Sequence, residues 1–186
     1  MQAIDALLTR HSARQLTEPA PDEAALALLL ASAARAPDHG RLRPWRFVVL
    51  TGAGRERLGA LLAGHLERIR PGATREALER ERAKALRAPL ILVVAAVVDE
   101  GSKVPALEQV LCAGAAAQNV MLAAHALGFG AMWKTGGAAH DAQVKSAFGL
   151  APKDALVGFL YIGTEPPATV GAPAPDSWQD RVAYWR

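Results

Sequence analysis

Three short stretches of this chain hold residues that could do chemistry, and all three are cationic. "TRHSAR" puts Arg10, His11, Ser12 and Arg14 at the end of a first helical stretch. Arginines hold phosphate through forked, charge-assisted hydrogen bonds, and a serine hydroxyl adds a neutral donor. Cations at a helix end also complement its dipole, so the spacing equally admits a plain solvated terminus. "RAPDHGRLRPW", residues 35–45, adds Arg35 and His39 in a turn shaped by Pro37, Gly40 and Pro44. Trp45, which opens the next strand, reads as a core aromatic. "MWKTGG", residues 132–137, supplies Trp133, Lys134 and Thr135 beside Gly136 and Gly137. The glycines let a ligand approach the backbone, the lysine brings charge and the threonine a hydroxyl. The same residues would also suit a glycine-rich hairpin turn.

What the chain lacks narrows the chemistry. It has no GxGxxG, no P-loop, no GxSxG elbow and no HExxH helix. Its five histidines, at 11, 39, 65, 125 and 140, make no ligand pair at close helical spacing. A single cysteine, Cys112, forms neither an internal disulfide nor a thiolate cluster, so no metal is expected. One cysteine suits a reducing compartment, and "MQAIDALLTRHSAR" does not read as a signal peptide, so a cytoplasmic protein is expected. The net charge, 21 − 18 = +3, suits an anionic small ligand better than a nucleic-acid platform. The basic stretch "RIRPGATREALERERAKALR" is diluted by Glu76, Glu79 and Glu81, and aromatics are only 5% of the chain, so no nucleic-acid partner is expected.

The elements that must position these turns follow from hydrophobic periodicity. A length of 186 residues with 51% apolar content fits one domain, residues 1–186. The pattern predicts a short helix over 3–10, then a helix N-capped by Asp22 and ending before Pro37. A strand follows at 45–51, closed by Gly52 and Gly54. Helices are predicted over 54–69 and 74–86, the second highly charged, with Glu76 and Arg80 spaced for a surface pair. The apolar run 88–100 reads as a strand buried on both faces. A long helix from 105 to 127, a turn with a short strand at 128–137, a helix at 140–150 and a strand at 155–165 complete the pattern. Residues 111–133 are long enough to cross a bilayer, but they are mostly alanine and glycine, interrupted by Gln118, Asn119 and His125. They read as a buried helix, with no membrane span. The proline-rich 166–186 reads as a C-terminal arm. The expected class is α+β, a small central sheet flanked by helices.

The order of three motifs carries a resemblance. R-x-S-x-R near the N-terminus, RAP followed six residues later by PW-x-F, then GFG-x-x-W-x-x-G together resemble the nitroreductase family. Those are FMN-dependent NAD(P)H oxidoreductases of α+β fold, and from about Ala3 to Thr164 this chain is similar to their compact single-domain branch. The resemblance implies FMN as cofactor, NADH or NADPH as co-substrate, and a nitro compound or quinone as the small-molecule electron acceptor. It implies that Arg10, His11 and Ser12, with Arg14 in the same set, bind the FMN phosphate and ribityl region. Arg35 would join them, and His39 would reach the flavin of the opposite subunit. Trp133, Lys134, Thr135 and Gly136 would line the cofactor from the later turn. Ala123, Ala124, His125, Ala126, Leu127 and Gly128 would contact the nicotinamide cofactor. The flavin N5 would carry the hydride, so no side chain is expected to be catalytic. This chain departs from the common pattern at His11, where many members have a second arginine, and at Asp38, His39 and Arg43. Two other readings stay open: a flavoenzyme for one dedicated metabolite (dehydrogenation or dehalogenation), and a non-catalytic flavin-binding protein.

An intertwined homodimer is expected. The helix from Cys112 to Ala126 is apolar nearly all round, and a symmetric partner would cover it. Trp178, Tyr184 and Trp185 sit in the arm and would anchor it on that partner, or else fold back on their own core.

Overall fold

The structure, a computed structural model, describes residues 1–167 and 177–185. Helices α1 (Ala3–Thr9), α2 (Glu23–Ala33), α3 (Ala53–Ile69), α4 (Arg75–Lys84), α5 (Ala106–Ala126) and α6 (Ala142–Ala147) surround strands β1 (Trp45–Leu50), β2 (Leu90–Ala96), β3 (Gly130–Lys134) and β4 (Ala155–Gly163). Three of these helices, α2, α4 and α6, start at side-chain caps. Asp22 accepts from the Ala25 amide, Thr74 from Ala77, and Asp141 from Gln143 and Val144.

The strands form one sheet in the order β1-β2-β4-β3, antiparallel at every pairing. The two central strands are buried on both faces, as the apolar runs predict. Along β2, Leu90, Leu92, Val94 and Ala96 join α2 and α5, while Ile91, Val93 and Ala95 join α3 and α6. Alternation thus makes three layers from one strand: helices, sheet, helices. The 132–137 stretch is no hairpin turn. β3 pairs with β4, which arrives only after a short 3-10 turn (Gly137–His140) and α6. On α4 the ion pairs close three residues apart, Arg82 with Glu79 and Lys84 with Glu81, rather than between Glu76 and Arg80.

Helix α5 buries Cys112, Ala113, Ala116, Ala117, Val120, Met121 and Ala124 within its own chain, and its polar residues are used structurally. The Gln109 amide donates to the carbonyls of Asp99 and Val104 and accepts from the Asp99 amide, and Asn119 donates to the Ser32 carbonyl on α2. Burial pushes the Cys112 thiol up, with the Asp38 carboxylate adding to it, so this cysteine stays protonated. No helix among the described residues is long and apolar enough to cross a membrane. Of the arm expected at 166–186, residues 168–176 and 186 lie outside the described residues. Residues 177–185 carry a 3-10 turn at Gln179–Arg181.

Candidate functional site

The first cationic turn is pinned to the sheet by one backbone bond. α1 ends where the Arg10 amide bonds the Ala6 carbonyl, and the chain then runs extended. The Ala13 amide donates to the Ala131 carbonyl of β3 at 3.0 Å. Ala13 and Leu16 therefore enter the core while Ser12 and Arg14 stay at the surface, with Arg10 half-buried.

His11 turns inward. Its Nε2 lies 2.7 Å from Glu165 Oε2, and their side chains are only 13% and 8% exposed. Glu165 Oε1 is buried without a hydrogen-bond partner among the described residues. The His11 ring meets His125 edge-on at 6.1 Å. His125 Nε2 lies 2.8 Å from the Thr9 hydroxyl, which already donates to the Asp5 carbonyl and so accepts from the imidazole. Burial lowers the pKa of His125, the nearby His11 and Arg10 lower it further, and Glu165 opposes them. The fold thus brings the 10–14 turn, the end of α5 at 123–128 and the end of β4 into one cluster. Glu165 escaped sequence reasoning because a lone glutamate beside two prolines carries no spacing signal.

The later turn opens on a cleft of about 450 Å³ between α3, α4 and β3, within the range of small-molecule sites. Lys134, Thr135 and Gly136 line it, with His65, Lys84, Arg87 and the Tyr161 side chain, over an apolar floor including Met132 and Phe159. Burial pushes the Tyr161 hydroxyl up, so it remains a donor. Gly136 has φ 74°, a left-handed backbone that favours glycine, and a Cβ on Gly137 would sit 2.9 Å from His65 Nε2. Trp133 does not line the cleft. Strand alternation sends it to the opposite face, where its indole donates to the Val157 carbonyl at 3.2 Å.

His65 is held from behind. Its Nδ1 lies 3.0 Å from Asp141 Oδ2, and Arg68 donates to both oxygens of the same carboxylate. Burial alone would raise the Asp141 pKa, but the bonds from Arg68, His65 and the Val144 amide outweigh it and hold the group well below the usual carboxylate range. Nothing in the sequence pairs residues 65 and 141, which sit 76 positions apart.

Arg35 and His39 lie on the other side of the sheet. Arg35 borders a shallow groove with Ala3, Ser32, Asn119 and Ala123. His39 Nδ1 meets Glu108 Oε2 at 2.6 Å, and its side chain is 67% exposed. The Asp38 carboxylate accepts from the Leu42 and Arg43 amides, and Gly40, Arg41 and Arg43 all have positive φ. Two left-handed arginines cost about 1–3 kcal/mol each, which an over-determined turn sustains. Trp45 stacks on Phe47 at 5.4 Å, a packing role.

These features agree with relationships found by comparison. Over 164 residues the chain is 42% identical to "Putative NAD(P)H nitroreductase YdjA" of Escherichia coli (strain K12), covering 88% of each. A Haemophilus influenzae protein described as "Putative NAD(P)H nitroreductase" is 36% identical over 165 residues, 88% of this chain and 89% of that one. Among solved structures, a nitroreductase-like family protein from Bacillus cereus shares the fold at TM-score 0.81 and 24% identity, covering 100% and 96%. A protein from Desulfovibrio desulfuricans described as "a putative nitroreductase in complex with fmn" matches at TM-score 0.74 and 25% identity, covering 100% and 98%. The family model described as "Nitroreductase family" matches residues 7–164, and the chain belongs to that family.

Proposed function

We propose that this protein is an FMN-dependent oxidoreductase that takes hydride from NAD(P)H and reduces nitro compounds or quinones. The observation that carries this reading is the Ala13–Ala131 bond, which sets the turn of Arg10, Ser12 and Arg14 beside β3, the strand that ends at Lys134 and leads into Thr135 and Gly136. A phosphate-bearing planar cofactor needs that combination: forked cations and a hydroxyl for the phosphate, then a cation and open glycine backbone for the ring system.

The residues present fit FMN. The donor set is cationic and hydroxylic, and a Cβ at Gly137 would narrow the cleft wall. When bound, FMN supplies two-electron transfer between a nicotinamide and an acceptor. Arg10 and Ser12 hold the phosphate, with Arg14 beside them. His11 anchors that turn through Glu165 while its ring borders the same region. Lys134 places positive charge where reduction builds negative charge. Thr135 and Gly136 shape the wall, and the indole of Trp133 braces β3 from behind. Residues 123–128, beside the 10–14 turn, receive the nicotinamide cofactor.

His39 lies across the sheet from the Lys134 cleft, so it serves a partner's cofactor in a homodimer, while Arg35, beside α1, joins the phosphate-binding set. α1 exposes Ile4, Leu7 and Leu8, and α5 exposes Leu107 and Leu111, a helical apolar face that a second copy covers. Trp185 is 98% exposed, which suits an arm over the partner. On this reading residues 1–186 are one domain with a C-terminal arm, and the lone buried Cys112 suits the cytoplasm.

The test is the visible spectrum of the purified protein, with chromatography of the heat-released cofactor and NAD(P)H oxidation in the presence of a nitro acceptor. FMN and turnover are expected; FAD, no flavin, or no turnover overturns the reading. Light scattering at low micromolar concentration is expected to give a dimer, and a stable, flavin-loaded active monomer overturns the placement of His39.

A further inference from the structure

Resting on the reading of this chain as an NAD(P)H-dependent reductase, we propose that His65 is a catalytic residue, the proton donor to the acceptor in the Lys134 cleft. Reduction of an aromatic nitro group breaks one N–O bond and releases water: ArNO2 + NAD(P)H + H⁺ gives ArNO + NAD(P)⁺ + H2O. The nicotinamide supplies two electrons and one hydrogen. The second hydrogen must arrive as a proton, and a quinone reduced to a hydroquinone has the same balance.

His65 is built for that delivery. Asp141 fixes Nδ1 at 3.0 Å, which leaves Nε2 turned toward Gly137, next in the chain to Lys134, Thr135 and Gly136. Asp141 is itself held by Arg68 and by the first amides of α6, so it is a positioning residue for the imidazole. With its side chain 14% exposed, His65 touches the cleft and can be reprotonated by water there.

The other polar groups around it are poor proton donors. From α4 and the turn after it come Glu81, which is paired with Lys84, and Arg87. β3 contributes Lys134 and β4 the Tyr161 hydroxyl, whose proton burial retains. Arg68, on the same helix as His65, is committed to Asp141. Histidine is the side chain that most often serves as general acid or base in such transfers, and here it is the one whose free ring nitrogen faces the cleft. A positively lined cleft also draws electron-poor acceptors that carry a carboxylate.

The experiment compares two acceptors in the wild-type protein, His65→Gln and Asp141→Asn, each loaded with its cofactor. 4-Nitrobenzoate needs a proton on reduction, and ferricyanide takes single electrons and none. The ratio of nitrobenzoate to ferricyanide turnover is expected to fall on the order of 100-fold in His65→Gln, the low end for a general acid. Asp141→Asn keeps a cap for α6 and is expected to lower the same ratio less, so it carries the test if His65→Gln does not fold. In the flavin-free chain, ¹⁵N spectra of the neutral His65 ring are expected to show Nδ1–H, with that preference lost in Asp141→Asn. An unchanged ratio, equal loss with both acceptors, or a His65 ring carrying its proton on Nε2 overturns the proposal alone. A wild-type protein with no flavin and no NAD(P)H oxidation overturns it together with the functional reading beneath it.

Discussion

The Ala13 amide donates to the Ala131 carbonyl at 3.0 Å, joining the turn after α1 to the strand that carries Lys134. More than a hundred residues separate the two cationic stretches, and this contact makes them neighbours. Each can be tested by its own substitution.

Arg10→Ala is expected to weaken FMN retention more than it slows the fully loaded enzyme. Losing a charge-assisted bond to phosphate costs about 1.5–3 kcal/mol, roughly ten- to hundredfold in affinity. Fluorescence titration of the flavin-free protein with FMN checks this, and parent-like affinity removes the phosphate role.

Lys134→Met is expected to lower the flavin midpoint potential. A cation in the cleft favours the reduced, more negative state; about 1.4 kcal/mol of lost attraction is about 30 mV for a two-electron couple. Spectroelectrochemistry reads it directly. An unchanged or higher potential argues against Lys134 facing the ring.

Gly158→Ala is expected to destabilise the protein by about 1–3 kcal/mol through overpacking. The new Cβ would stand 2.1 Å from Trp133 Nε1 and 3.0 Å from the Lys134 carbonyl, both held by their places on β3. A lower denaturant midpoint with altered tryptophan emission is the expected result, and an unchanged midpoint means that the indole moves freely.

Asp141 links stability to pH. Its pKa is lower folded than unfolded, so its contribution is present above the unfolded carboxylate range and is lost as pH falls below it. Asp141→Ala is expected to cost about 2–3 kcal/mol at pH 7, from the lost cap of α6 and the lost pairs with Arg68 and His65. The gap between mutant and wild-type melting temperatures is expected to narrow as pH falls below the unfolded range. A gap that stays constant across that window would show that the carboxylate charge is not what matters.

The sequence by itself determined the elements and the class of chemistry. The apolar runs at 88–100 and 155–165 read as buried strands, and β2 (Leu90–Ala96) and β4 (Ala155–Gly163) form within them. Asp22 announces α2 through its own cap, and the order of the three cationic motifs points to the family. These signals are local, so they survive in one dimension. Tertiary structure decided which side chains share a space. Alternation along β3 separated Trp133 from Lys134, a distinction that a motif read as a unit cannot make. His11 looked like a phosphate ligand, yet the end of β4 turns it toward Glu165. His65, Lys84, Arg87 and Tyr161 looked like ordinary surface or core until the packing of α3 and α4 beside β3 enclosed a cleft around them. Contacts across 76 positions, as between His65 and Asp141, depend on how layers close over the sheet, and periodicity within one element carries no trace of that.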